Sequence, residues 1–180
     1  MIEEIKLLER ERWQDYMLPF RYISHSYYDV EIKQADGGFS VSFMKKPFDK
    51  PYIHDMNDCD KLFQTYRDDI KAWGIVEKDE LIAVIETAIE KWNNRHRVTE
   101  LWIEANYQRR GIATALMGLA VKRAKEEKRR AVVLETQTCN EAALTFYLNY
   151  GFTLIGFDVC SYSNNDIQNK EVRVELGMLL

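Results

Sequence analysis

The stretch from Val98 to Thr136 constrains the fold of this chain more than any other, because it reads strand, turn, helix and strand without interruption. "VTELWIEA" is a half-apolar strand, and "NYQRRG" breaks it with charge and a lone glycine. Ile112, Ala115, Leu116, Leu119, Ala120 and Arg123 then recur at helical spacing, with Lys122, Lys125 and Glu126 left for water. "AVVLET" follows as a solid apolar run, the composition of a central strand covered on both faces. Two strands joined through a helix run parallel, since only a crossover of that length brings the chain back in the same direction.

The flanking segments predict antiparallel pairs, so the sheet is expected to be mixed and the fold class α/β with a mixed α+β sheet. Tyr28, Val30 and Ile32 alternate with polar residues, Asp36-Gly37-Gly38 supplies turn chemistry, and Phe39, Val41 and Phe43 alternate again, the pattern of a hairpin. "AWGIV" and "LIAVIETAI", joined by "EKDE", predict a second hairpin. "IEEIKLL" reads as a short strand feeding a helix over "ERERWQDYM", and a short helix is expected near Asp58 to Arg67. Pro47 and Pro51 place a long loop at "KKPFDKPY". Ala143, Phe146, Tyr147 and Tyr150 repeat at helical spacing with Gly151 at the C-cap. Val172, Val174, Leu176 and Met178 alternate with Glu171, Arg173 and Glu175, as in a closing strand with one wet face.

Composition narrows the class of function. With 180 residues, 46% of them hydrophobic and 30% charged, one domain over residues 1–180 folding in water is expected. The net charge of −4 argues against nucleic acid, because even the densest basic run, Lys122 to Arg130, contains Glu126 and Glu127. Cys59, Cys139 and Cys160 form neither a CxxC pair nor a complete disulfide set, which fits a reducing cytoplasm. "MIEEIKLLERERW" is acidic where a signal peptide is basic, and no apolar stretch has the length of a membrane span, so no membrane is expected. His25, His54 and His96 lack HExxH or Cys/His ligand spacing and there is no GxSxG elbow, which disfavours a metal site and a serine hydrolase.

The turn at "NYQRRGIATALMGLA" is the candidate binding element. A helix N-terminus leaves its first N–H groups unpaired and carries about half a positive charge, so it attracts phosphate. Gly111 lets backbone approach an anion, Gln108, Arg109 and Arg110 add donors, and the small Ala113 keeps the first turn open. An ordinary loop-to-helix junction with solvated arginines carries the same residues, and GxxxxGK(S/T) and GxGxxG are both absent.

The wider context resembles the GNAT superfamily of acyl-CoA-dependent N-acetyltransferases. Gln108-Arg109-Arg110-Gly111-Ile112-Ala113 matches its Q/R-x-x-G-x-G/A motif, and Asn140, Ala143, Phe146, Tyr147, Gly151 and Phe152 match its later N-x-x-A-x-x-F-Y-x-x-x-G-F signature. "LETQ", "IG-D" and "YSN", with the early "YDVEI" and "PY", are similar to the streptothricin acetyltransferase branch. That branch carries a Glu-Asp pair where this chain has Thr99-Glu100, a departure that bears on the acceptor site.

The resemblance implies a central mixed sheet flanked by helices, with acetyl-CoA between diverging middle strands. It places pantetheine along the backbone of Trp102, Ile103 and Glu104, the pyrophosphate at Gln108, Arg109, Arg110, Gly111, Ile112, Ala113 and Thr114, and further cofactor contacts at Asn140 and Phe146. Asn140 is equally suited to be a helix N-cap, and Thr138-Cys139-Asn140-Glu141 fits a capping box.

In the scheme the resemblance implies, an amine attacks the thioester directly and the departing thiolate needs a proton. Tyr147 is the candidate acid, since a phenol with a reference pKa of about 10 is protonated at neutral pH, although an aromatic at helical spacing is by pattern a core residue. An alkyl amine also needs help losing its proton; Glu100 is the candidate base, with Glu86, Glu104 and Glu135 competing. Trp73, Trp92, Trp102 and the many tyrosines are candidates to line an acceptor pocket, although most of them are expected to pack in the core or against hairpins. The implied acceptor is a small cationic amine of streptothricin type, with a polyamine, a metabolite amine or a protein N-terminus as alternatives and a non-catalytic acyl-CoA-binding module as the other reading. Among oligomers, a homodimer is compatible with all of these.

Overall fold

The computed structural model describes residues 4–55, 60–67 and 69–180. In chain order its elements are β1 (Lys6–Leu7), α1 (Arg10–Trp13), β2 (Met17–Leu18), β3 (Arg21–Ala35), β4 (Gly38–Asp55), β5 (Asp60–Lys61), β6 (Lys71–Glu77), β7 (Glu80–Glu90), β8 (Arg95–Ile103), α2 (Ile112–Glu126), β9 (Ala131–Gln137), α3 (Glu141–Tyr150), β10 (Thr153–Asp158), α4 (Asp166–Asn169) and β11 (Arg173–Leu179). The described residues divide into two compact units, residues 4–20, 60–134 and 177–180 in one and residues 21–55 and 135–176 in the other.

The first unit carries the strand order β1-β6-β7-β8-β9, antiparallel up to β8 and parallel between β8 and β9, which makes the sheet mixed as expected. β6 returns to β7 through Lys78 and Asp79, whose φ values of 47° and 69° are those of a tight hairpin turn. Ala83, Val84 and Ile85 of β7 are wholly buried, because neighbouring side chains cover both faces of this central strand. α2 packs on β7 and β8 through Ile112, Leu116, Met117, Ala120 and Ala124; Met117 is buried and Ala115 exposed, a small rotation from the expected apolar face.

Arg123 sits on that buried face and is fully engaged. It donates to Glu127 Oε1 at 2.6 Å and Thr87 Oγ1 at 2.8 Å, with its guanidinium 5.2 Å from the Trp73 ring.

Two expectations fail in this unit. α1 is a single turn ending at Trp13, because Asp15 adopts φ 60° and the chain turns into β2. No helix spans residues 60–67: Phe63, buried in the core, has φ 58°, which a right-handed helix excludes. Asp58 and Cys59 lie outside the described residues. Trp92 stands outside the packed majority of the aromatics, 85% exposed on a turn between β7 and β8.

In the second unit β3 and β4 form one long antiparallel hairpin from Arg21↔Asp55 to Ala35↔Gly38, closed where Gly37 takes φ 87°. "KKPFDKPY" is therefore strand rather than loop. The register explains how: between Ser24↔Tyr52 and Ser26↔Pro47 it advances two residues on β3 and five on β4, so Pro47 and Pro51 bracket a bulge that needs few ladder hydrogen bonds.

α3 packs against β3. It begins at Asn140, whose Oδ1 accepts from Ala143 N–H at 3.1 Å, and ends at Gly151 with φ 112°. The capping box centred on Thr138 does not form; its hydroxyl donates to Lys170 O at 2.8 Å and accepts from Val172 N–H at 3.1 Å. β11 stands beside β10 and carries the expected alternation, with Val174 and Leu176 buried.

Candidate active site

β8 is paired unequally on its two edges. Against β7 the register continues to Ala83↔Ile103, and Glu104 N–H extends it to Ile82 O at 2.8 Å. Against β9 the parallel register covers only Arg95↔Ala131, His96↔Val132 and Arg97↔Val133, although β8 continues to Ile103. The backbone of Trp102, Ile103 and Glu104 thus lies beyond the last β9 pair, on an edge to which an extended ligand can add as a strand. A bulge precedes it: Glu86↔Glu100 is followed by Thr87↔Val98, so Thr99 is the extra residue and the strand is re-aimed there.

The segment after β8 is braced by its own side chains. The Glu104 carboxylate caps the 3-10 turn Ala105–Tyr107 by accepting from Asn106 N–H at 2.7 Å. Gln108 donates to Ile103 O at 3.1 Å, and Arg110 donates to Asn106 O at 2.7 Å while lying over the Tyr107 ring. Arg109 and Gly111 both have positive φ, 60° and 81°. At Gly111 a Cβ would meet nothing within 4 Å, so backbone conformation rather than crowding calls for glycine.

α2 then starts with no side-chain cap, and Ala115 N–H to Gly111 O at 3.1 Å is its first backbone bond. The amides of Gly111, Ile112, Ala113 and Thr114 are the orphan donors of that end. Uncapped amides, the helix dipole and left-handed backbone at the approach make a donor set of the kind that binds anions, and a diphosphate is chemically suited to it.

In the second unit Tyr147 is 8% exposed, with its ring 5.4 Å from Phe146 and 6.0 Å from Phe152, and Phe146 is half-buried on the same helix. Asn140 spends its side-chain oxygen on the helix cap.

Residues 13–152 match the acetyltransferase (GNAT) family. The chain belongs to that family. Curated relatives are a streptothricin acetyltransferase of Escherichia coli, 30% identical across 78% of this chain and 75% of its own length, and streptothricin acetyltransferase A of Bacillus subtilis (strain 168), 27% identical across 72% and 75%. The crystal structure of nourseothricin acetyltransferase superposes with a TM-score of 0.76 at 20% identity, covering 99% of both chains. A Bacillus anthracis str. Ames protein crystallised in complex with acetyl coenzyme A superposes with a TM-score of 0.74 at 19% identity, covering 98% of this chain and 99% of that one. The protein is an N-acetyltransferase of the GNAT family, and acetyl-CoA is the acyl donor of such enzymes.

In this GNAT acetyltransferase the candidate carboxylates separate by what holds them. Glu104 caps the turn, and Glu135 accepts from Arg173 at 2.5 Å. Glu86 is buried in the core, where it accepts from Phe63 N–H at 2.5 Å and Thr99 Oγ1 at 2.8 Å; burial pushes its pKa above the ordinary carboxylate value against the pull of both donors. Glu100 lies directly across the ladder from Glu86 and is itself 9% exposed.

Glu86 is consequently a framework residue. Glu86→Ala leaves a buried amide and a half-buried hydroxyl without their acceptor and is expected to lower the unfolding free energy by about 3 kcal/mol, with Glu86→Gln costing about half of that. Urea unfolding followed by circular dichroism measures both; an alanine variant as stable as the parent contradicts the assignment.

Among the described residues no three His, Cys, Asp or Glu side chains are grouped to hold a metal, and no helix is long and apolar enough to cross a membrane. The sequence reading missed the Thr99 bulge and the aromatic face of the β3–β4 hairpin, both products of cross-strand register.

Proposed function

We propose that this acetyltransferase moves the acetyl group of acetyl-CoA onto a primary amine of a small cationic molecule, and that a streptothricin-type antibiotic is the acceptor. The observation that carries the acceptor class is the likeness to two curated streptothricin acetyltransferases over about three quarters of the chain. The net charge of −4 agrees with a cationic substrate.

The residues take these roles in the reading. Backbone at Trp102, Ile103 and Glu104 pairs with the pantetheine arm, and the amides of Gly111 to Thr114, with the Arg109 side chain, hold the diphosphate. Phe146 and Asn140 are assigned to the cofactor by the family motif, Asn140 while capping α3. Glu100 takes a proton from the ammonium, directly or through water; the neutral amine attacks the thioester carbonyl; the C–S bond breaks, Tyr147 gives its phenolic proton to the thiolate, and the surplus proton on the acylated nitrogen restores the phenol. The whole of residues 1–180 acts as one acetyltransferase domain in the cytoplasm.

The test is thiol release from acetyl-CoA across a panel of streptothricin, spermidine, lysine and an N-terminal peptide. Streptothricin is expected to be the preferred acceptor by kcat/KM. Turnover of spermidine or the peptide in preference to streptothricin replaces the acceptor, and tight acetyl-CoA binding without thiol release for any amine replaces catalysis with a binding role.

A further inference from the structure

The β3–β4 hairpin carries five aromatic rings in a continuous row. Tyr22 stacks on His54 with centroids 4.6 Å apart and 13° between planes, His54 meets Tyr52 at 6.1 Å, Tyr52 stacks on Phe48 at 5.2 Å and 13°, and Phe48 meets Tyr27 at 4.6 Å. The bulge between Ser24 and Ser26 makes the row continuous, because Phe48 lies among the extra residues of β4 and is carried into line with Tyr52. Tyr22 is anchored by its hydroxyl contact with the buried Cys139 Sγ at 3.3 Å. All five rings are half-buried, so the row has a wet side.

Two features show which chemistry the row accepts. At one end the Lys170 ammonium lies 5.2 Å from the Tyr27 ring centroid, so a cation already occupies one of these faces. Further along, Glu171 accepts the Tyr52 hydroxyl and has His54 Nδ1 at 4.0 Å. Neighbouring carboxylates have basic partners: Glu141 pairs with Lys45, Asp29 with Lys46 and Asp55 with Arg21. Among the described residues no Lys or Arg lies within ion-pair distance of Glu171. Burial lowers the pKa of His54, which keeps that ring neutral at pH 7 and leaves the Glu171 charge uncompensated. An anion is repelled here and a neutral apolar ligand gains nothing from the carboxylate, whereas a cationic group gains from both the rings and Glu171.

We propose that the row formed by Tyr22, His54, Tyr52 and Phe48, together with Glu171, docks a positively charged group of the acceptor other than the amine that takes the acetyl group. This rests on the transfer of acetyl to a small polycation proposed above. A contact made equally in the ground and transition states lowers KM and leaves kcat alone, so the row sets acceptor affinity and selects polycations over monoamines.

The test is calorimetric titration of streptothricin into the full chain without acetyl-CoA, alongside steady-state kinetics. Glu171→Gln and Tyr52→Leu are each expected to weaken streptothricin binding and raise its KM by about tenfold, with kcat within about twofold and KM for acetyl-CoA unchanged. Tyr52→Phe, which keeps the ring, is expected to bind nearly as wild type. Glu171→Gln is close to isosteric, and its thermal unfolding checks that it folds. If it is folded and binds streptothricin as the parent does, the row is not the dock. If the parent binds streptothricin in a Glu171-dependent way yet never acetylates it, the dock stands and the proposed reaction falls.

Discussion

Gly111→Asp is expected to weaken acetyl-CoA binding by about 10- to 100-fold while the chain remains folded. The native residue combines a φ of 81° with open space around its missing Cβ, so a side chain there is disfavoured by conformation and not by collision. Asparagine and aspartate tolerate this region better than other residues, and the strain costs about 1 kcal/mol. The larger effect is electrostatic. A carboxylate about 5 Å from a phosphate at an effective dielectric near 20 costs roughly 3 kcal/mol before salt screening, and it also opposes the helix dipole. Gly111→Ala isolates the conformational part and should lose stability of about 1 kcal/mol with a much smaller change in affinity. Calorimetry with acetyl-CoA or coenzyme A reads both variants. Equal affinity in a folded aspartate variant removes the diphosphate from this turn.

Tyr147→Phe is expected to lower kcat by about 10²- to 10³-fold, the usual contribution of one positioned proton donor, with acetyl-CoA affinity nearly unchanged. Phenylalanine retains the ring contacts with Phe146 and Phe152. Thiol release at saturating acetyl-CoA reads the rate, and calorimetry with acetyl-CoA reads the affinity. Equal rates would remove Tyr147 from the chemistry and leave it as a packing residue of α3.

The parts of the fold that were legible in the sequence are those encoded by local period. The solid run of β9, the helical spacing of α2, the Asp36-Gly37 turn and the Gly151 cap each lie within one or two turns of chain, and all four form where the residues place them. The mixed sheet follows from them by connectivity. The features that were not legible depend on pairing between distant segments. Residues 47–51 read as a loop because two prolines interrupt them, and they remain strand because a register slip against β3 absorbs the prolines. The segment after residue 60 lacks its expected helix because Phe63 enters the core in a left-handed conformation that a carboxylate from β7 holds.

At the candidate site the same division holds. The break in the chain at Gly111 and the helix start that follows it were readable from the residues, but the use of Gln108 and Arg110 to brace that turn appears only in three dimensions. Glu100 was preferred as the base for lying on the strand before the turn, but nothing in the sequence removed Glu86 as a competitor. The bulge at Thr99 differentiates them, since its hydroxyl and a distant amide both converge on Glu86.

The slip in the β3–β4 register also has a meaning for how such enzymes diverge. Because the extra residues of β4 lie outside the ladder, an insertion or deletion there would shift Phe48 against Tyr52 without disturbing the pairs on either side. Ring spacing is therefore free to drift between lineages while the scaffold stays fixed, and comparing that short segment's length with the range of amines each homologue accepts would show whether natural selection has exploited it.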